Sequence, residues 1–102
     1  MRYQLVIQVP FNSTADYDHL VTVENLLIEN LPKGSQVDGH DAGSEQANIF
    51  IHTSSPVETF EAIRKLLRDQ KFWDSARAAY RELSGNRYEI LWPNDLEQFA
   101  IS

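Results

Sequence analysis

Residues 36–53, QVDGHDAGSEQANIFIHT, decide the fold because their pattern predicts a β-hairpin. Residues 36–41 form the first arm, residues 46–53 form the second, and the four residues between them form the turn. Glycine, aspartate and serine around this turn are typical of a connection between antiparallel strands. In the second arm Ile49 and Ile51 alternate with other side chains, so we expect the two isoleucines to face the core.

Strand and helix patterns lie on both sides of this hairpin. Residues 3–9 alternate between two faces and stop at Pro10, which predicts a half-buried strand. Apolar side chains recur every three or four positions over residues 20–31, which predicts a helix. Residues 55–58, SPVE, have the spacing of a capping box with proline at the first helical position, and predict a second helix that begins at Pro56.

Residues 75–83, SARAAYREL, are compatible with two structures. Their composition favours a helix. The following Ser84-Gly85-Asn86 is a turn signal, however, and residues 87–92 have a clear strand pattern. Because tertiary pairing routinely overrides a weak local preference, we predict that residues 75–83 form the first strand of a terminal hairpin.

The resulting order is strand, helix, strand, strand, helix, strand, with one further strand from the terminal hairpin. This is the order of a ferredoxin-like, split βαβ fold: an antiparallel sheet with both helices on one face. We therefore expect a single α+β domain over residues 1–102. The other face of the sheet is expected to be open, with Val6, Phe50 and Leu91 as its apolar positions. Unrelated functions occur on this fold, so it indicates no reaction.

The motif VDGHDAGSEQANIFIHTSSP, with AAYREL and YEILWP further along the chain, resembles a family of small bacterial α+β proteins of unassigned function. The resemblance covers residues 36–93 and implies that residues 75–92 form a hairpin. The family pattern has a glycine between Ser44 and Glu45 that this chain lacks, which makes its turn one residue shorter. Since the family has no assigned activity, the resemblance implies a fold and no reaction.

The composition is that of an ordinary globular domain. Hydrophobic residues make up 42% of the chain and charged residues 24%, and there is no cysteine. The apolar runs are much shorter than the ~20 residues that span a bilayer. We therefore expect a cytoplasmic protein without disulfides, membrane attachment or a cofactor.

Charge is distributed unevenly along the chain. Residues 1–63 contain two basic and nine acidic residues, whereas residues 64–102 contain seven basic and six acidic residues. A net charge of −6 repels nucleic acid and anionic lipid, so we exclude both as partners. The same charge attracts a basic protein, and we predict a partner of that kind.

The hairpin carries the candidate functional residues. Asp38 and His40 are two residues apart on a predicted strand, so we expect them to share a face, with His52 of the other arm beside them. Two imidazoles and a carboxylate can bind zinc or iron, and a histidine–aspartate pair can act in acid–base catalysis. The alternative is a hydrophilic turn without a ligand, in which Gly39 permits a bulge. The full set of candidates for a binding site is Asp38, His40, Asp41, Glu45, Asn48, Phe50 and His52.

Three functions are compatible with these features. The favoured one is a non-catalytic module that binds a basic protein, with immunity-type inhibitors of basic toxins as an analogy. The second is a small metal-dependent or acid–base enzyme that uses Asp38, His40 and His52. The third is a homodimer that forms through the open face of the sheet.

Overall fold

The computed structural model describes residues 2–11, 14–43 and 45–101, which form five β-strands, two α-helices and a short 3-10 helix. In chain order the elements are β1 (Tyr3–Pro10), α1 (Thr14–Asn30), β2 (Ser35–Ala42), β3 (Gln46–Thr53), α2 (Pro56–Leu67), the 3-10 helix (Lys71–Ser75), β4 (Arg77–Glu82) and β5 (Glu89–Trp92). None of the helices described has the length and apolar character needed to cross a membrane.

The strands form one antiparallel sheet in the order β2-β3-β1-β4-β5. The central strand, β1, pairs on one side with β3, where Ile7 lies opposite Ile49, and on the other with β4, where Ile7 lies opposite Ala78. The α+β architecture and the hairpin of β2 and β3 are confirmed. The prediction of a strand within residues 75–83 is also confirmed, because β4 pairs along β1.

Both helices pack against the same face of the sheet. Alternate side chains of β1 and β3 point to this face, as the period of a strand requires. They meet one apolar stripe from each helix, and the buried positions of this cluster include Leu5, Ile7, Val9, Leu20, Val23, Leu27, Ala47, Ile49, Ile51, Phe60, Ile63, Leu67 and Ala78. Removing such apolar surface from water, at roughly 25 cal/mol per Å², is the main stabilising contribution to a domain of this size.

The second helix begins at Pro56 as predicted, but its first turn is capped differently from the prediction. The side chain of Ser55, at the N-cap, makes no capping hydrogen bond. The backbone N–H of Ser55 donates to Oγ1 of Thr53 over 3.0 Å, and that oxygen lies 2.7 Å from the hydroxyl of Thr59. In a capping box the side chain of the glutamate, here Glu58, accepts a hydrogen bond from the N–H of the N-cap residue. In this protein Thr53 is the acceptor of the Ser55 N–H instead.

The face of the sheet opposite to the helices is not open at its centre, contrary to expectation. Val6 and Ala79 are fully buried, and Gln8 is only 3% exposed. The C-terminal segment (residues 93–101) returns across this face, where Nε2 of Gln8 donates to the carbonyl oxygen of Ala100 over 3.0 Å. The chain therefore covers part of the surface on which the homodimer prediction depends.

Candidate functional site

Asp38 and His52, two of the three residues in the predicted cluster, lie together. Oδ2 of Asp38 is 3.6 Å from Nε2 of His52. The side chains are 55% and 30% exposed, respectively, so water and salt screen the attraction between them. The pair is a surface contact at the edge of the sheet.

A β-bulge in β2 separates these residues from the third member of the cluster. Val37 pairs with Ile51 and Gly39 pairs with Phe50, which leaves Asp38 as an extra residue. Gly39 has a φ of 148°, in the region that glycine adopts much more readily than other residues. The bulge that glycine was predicted to permit at this position is therefore present.

Because of the bulge, His40 lies on the helix-covered face of the sheet, opposite Ile49. The prediction that Asp38 and His40 share a face is therefore wrong: it assumed a regular strand. His52 remains on the other face with Asp38. Among residues 2–11, 14–43 and 45–101, no three His, Cys, Asp or Glu side chains are placed to hold a metal ion together.

On the helix side, His40 contacts a different carboxylate. Its Nδ1 atom lies 3.0 Å from Oε2 of Glu24 in α1, and the two side chains are 24% and 15% exposed. The ring of Tyr17 stands edge-on to the imidazole with 5.8 Å between ring centres, and Phe11 lies next to Tyr17 at 6.4 Å. A carboxylate that holds Nδ1 orients the imidazole, and leaves Nε2 as the ring nitrogen that can bond a ligand or transfer a proton.

Reasoning from the sequence missed both Glu24 and Tyr17 as neighbours of His40. The two residues are seven positions apart, which places them on one face of α1 two turns from each other. That spacing is the signal that could have identified them, provided that α1 was known to lie beside β2. The sequence alone does not give this proximity.

The other four candidates do not converge on one site. Asp41 and Glu45 are exposed, and Phe50 is half-buried. Asn48 is fully buried; its Oδ1 accepts a hydrogen bond from Nε2 of Gln8 over 3.1 Å, and its Nδ2 has no hydrogen-bond partner. Asn48 therefore belongs to the sheet beneath the C-terminal segment, while Asp41 and Glu45 belong to the surface around β2.

The strongest electrostatic feature is the side of the molecule where α1 packs beside β2. Residues 14–46, which comprise α1, β2 and the turns flanking β2, contain seven acidic residues and one lysine, a formal charge of −6. The remainder of the chain has eight acidic and eight basic residues. We call α1, β2 and these turns the acidic edge; its acidic residues are Asp16, Asp18, Glu24, Glu29, Asp38, Asp41 and Glu45.

Comparison of the chain with protein-family models, with curated proteins and with solved structures found no match.

Proposed function

We propose that the protein is a non-catalytic module that binds a basic protein through the acidic edge. The observation that carries this proposal is the segregation of charge. The entire formal net charge of the chain, −6, lies in residues 14–46, and the fold brings α1 and β2 together at one edge of the sheet. A surface of one sign attracts a partner of the opposite sign and accelerates its association.

The exposure of the acidic side chains supports this proposal. Five of them are exposed: Asp18, Glu29, Asp38, Asp41 and Glu45. The contacts of Glu24 and Asp38 within the chain are with imidazoles, whereas the salt bridge between Arg64 and Glu61 lies on α2, outside the acidic edge. Cations of a partner can therefore approach exposed carboxylates here.

We also propose that the domain has a ferredoxin-like, split βαβ fold and belongs to the family that its hairpin sequence resembles. The order β2-β3-β1-β4, with both helices on one face, supports the first part. The hairpin of β2 and β3 and the pairing of β4 with β5, which the resemblance implies, support the second.

Two triple variants test the binding function. Asp18→Asn/Glu29→Gln/Asp41→Asn removes three exposed charges from the acidic edge. Glu89→Gln/Asp95→Asn/Glu97→Gln removes three exposed charges elsewhere and is the matched control. The tagged wild-type chain is used at low salt to capture proteins from a cell extract, and a captured protein is then purified and titrated against all three chains.

We expect the edge variant to weaken binding by about tenfold or more, which corresponds to about 1.4 kcal/mol, and the control variant to have a much smaller effect. Binding of the wild type should also weaken as salt is raised, because exposed charges are screened. Equal losses in the two variants, or binding that is insensitive to salt, would contradict the proposal.

A further inference from the structure

The outer side of β2 is an edge of the sheet. The backbone N–H of Ser54 donates to the carbonyl of Gly34, which fixes the phase of the antiparallel ladder between β2 and β3. Hydrogen-bonded and non-hydrogen-bonded pairs alternate in such a ladder. Gly34 is bonded to Ser54, directly after β3, so two positions further on the backbone of Gln36 is bonded to β3 as well. The residues between and after them point the other way. The carbonyl of Ser35 and both backbone groups of Val37 therefore point to the outer side of β2, where another strand can pair.

A groove runs beside this free backbone on the helix-covered face. Val37 lines it from β2, and Leu27, Ile28 and Leu31 line it from the end of α1. The volume of the groove is about 260 Å³, and Ile28 is 60% exposed. Exposed aliphatic surface next to the unpaired edge of a strand is suited to an aliphatic side chain that an incoming strand carries.

The opposite face of the same edge is acidic. Asp41 lies opposite Asn48, and Asp38 contacts His52, so both carboxylates are on the face away from α1. Side chains of an extended strand alternate between its two faces. A strand with aliphatic residues at every second position and lysine or arginine between them would thus place its aliphatic side chains at the groove and its cations beside Asp38 and Asp41.

We infer that an extended segment of the basic partner, with alternating basic and aliphatic residues, pairs with β2 as a sixth strand of the sheet. This inference rests on the proposed function and specifies how the partner is held. A second copy of β2 fits this edge less well, because the two strands would bring their aspartates together and the bulge at Asp38 would interrupt both sides of the ladder.

Three synthetic peptides test this mode of binding. The first is acetyl-KVKVKVK-amide. The second has the same side chains but carries an N-methyl group on every residue, which removes its backbone donors and keeps its charge. The third has glutamate in place of each lysine. Each is titrated into the ¹⁵N-labelled protein at low salt, and the amide signals of Ser35 and Val37 are followed.

We expect the first peptide to bind about tenfold or more tightly than the N-methylated one, since main-chain hydrogen bonds provide much of the affinity in strand addition. Equal affinity of these two peptides, both above that of the glutamate peptide, would overturn the strand-addition mode and leave the basic-partner function standing. Equal affinity of the lysine and glutamate peptides would overturn both. Shifts at Val37 that grow with protein concentration alone would show a second copy at the edge, and would overturn the inference.

Ile28→Gln and Val57→Gln are the matched variants for the groove. Both remove an exposed aliphatic side chain from a helix, and Val57, on α2, is 52% exposed. We expect Ile28→Gln to weaken binding of the unmodified lysine peptide by about fivefold. Val57→Gln should leave it unchanged, because Ile28 lines the groove and Val57 does not. Equal effects of the two variants would contradict the use of the groove.

Discussion

Nδ1 of His40 lies 3.0 Å from Oε2 of Glu24, and this contact joins β2 to α1 across the acidic edge. The imidazole is also covered on one side by Tyr17, whose ring centre is 5.8 Å away. Both members of the pair are less than a quarter exposed, so water competes with their hydrogen bond less than it does at the pair of Asp38 and His52. The contact therefore helps to hold the helix against the strand that carries the proposed binding surface.

A double-mutant cycle measures this contact. We expect the variants Glu24→Ala, His40→Ala and their combination to give a favourable coupling of about 0.5–1 kcal/mol in the free energy of unfolding from urea denaturation. The same cycle for Asp38 and His52 is the control, and its coupling should be close to zero because both groups are well exposed. Couplings of the same size in the two cycles would show that the lower exposure of Glu24 and His40 to water does not strengthen their contact.

The cap of α2 gives a second prediction. Thr53→Val keeps the shape of the side chain but removes the acceptor of the Ser55 N–H and the hydroxyl beside Thr59, so we expect it to lower the free energy of unfolding by about 2 kcal/mol. Ser55→Ala should cost less than about 0.5 kcal/mol, because the serine side chain makes no capping bond. Urea denaturation of both variants checks this order. A larger loss for Ser55→Ala than for Thr53→Val would show that the ordinary serine cap operates in solution.

The elements that the sequence predicts correctly are those whose signal is local or nearly so. The strand over residues 3–9 and the glycine-containing turn of the hairpin required no knowledge of the rest of the chain, although residues 5–9 are buried on both faces and the strand is not half-buried as predicted. The strand within residues 75–83 required one further step. Its alanines favour a helix, but β1 offers an unpaired side to Ala78 and Ala79, and the pairing overrides the local preference.

The errors arise where one residue or one distant contact changes the result. A single extra residue at Asp38 moves His40 to the other face, and although Gly39 indicated that a bulge was possible, the sequence does not state whether or where a bulge forms. The contact between Gln8 and Ala100 joins residues 92 positions apart, and the segment that carries Ala100 has no periodic pattern. Neither feature has a local signature strong enough to be predicted.

The C-terminal segment should protect the face that it covers. Deletion of residues 94–102 removes the carbonyl that Gln8 bonds, and Gln8 and Val6 are both buried on the face that this segment crosses, so we expect the free energy of unfolding to fall by about 2 kcal/mol or more. The truncated chain should also bind a hydrophobic dye and self-associate in sedimentation velocity experiments. Substitution of the exposed Gln98 by Ala is the control and should change neither property. A truncated chain that is monomeric and as stable as the full chain would contradict a covering role for the segment.

Leu27 and Ile28 are neighbours on α1, yet they should affect different properties of the protein. Leu27 is fully buried in the core, so Leu27→Ala leaves a cavity and should cost about 3 kcal/mol of unfolding free energy. Ile28 is 60% exposed, so Ile28→Ala should cost less than about 0.5 kcal/mol, since alanine also has the higher helix propensity. If the groove beside β2 receives an aliphatic side chain of the partner, Ile28→Ala should nevertheless weaken binding of the lysine–valine peptide.

Urea denaturation and peptide titration of both variants separate the role of Leu27 in stability from the role of Ile28 in binding. A loss of about 2 kcal/mol or more from Ile28→Ala would mean that Ile28 packs in the folded chain, and would remove it from the proposed interface.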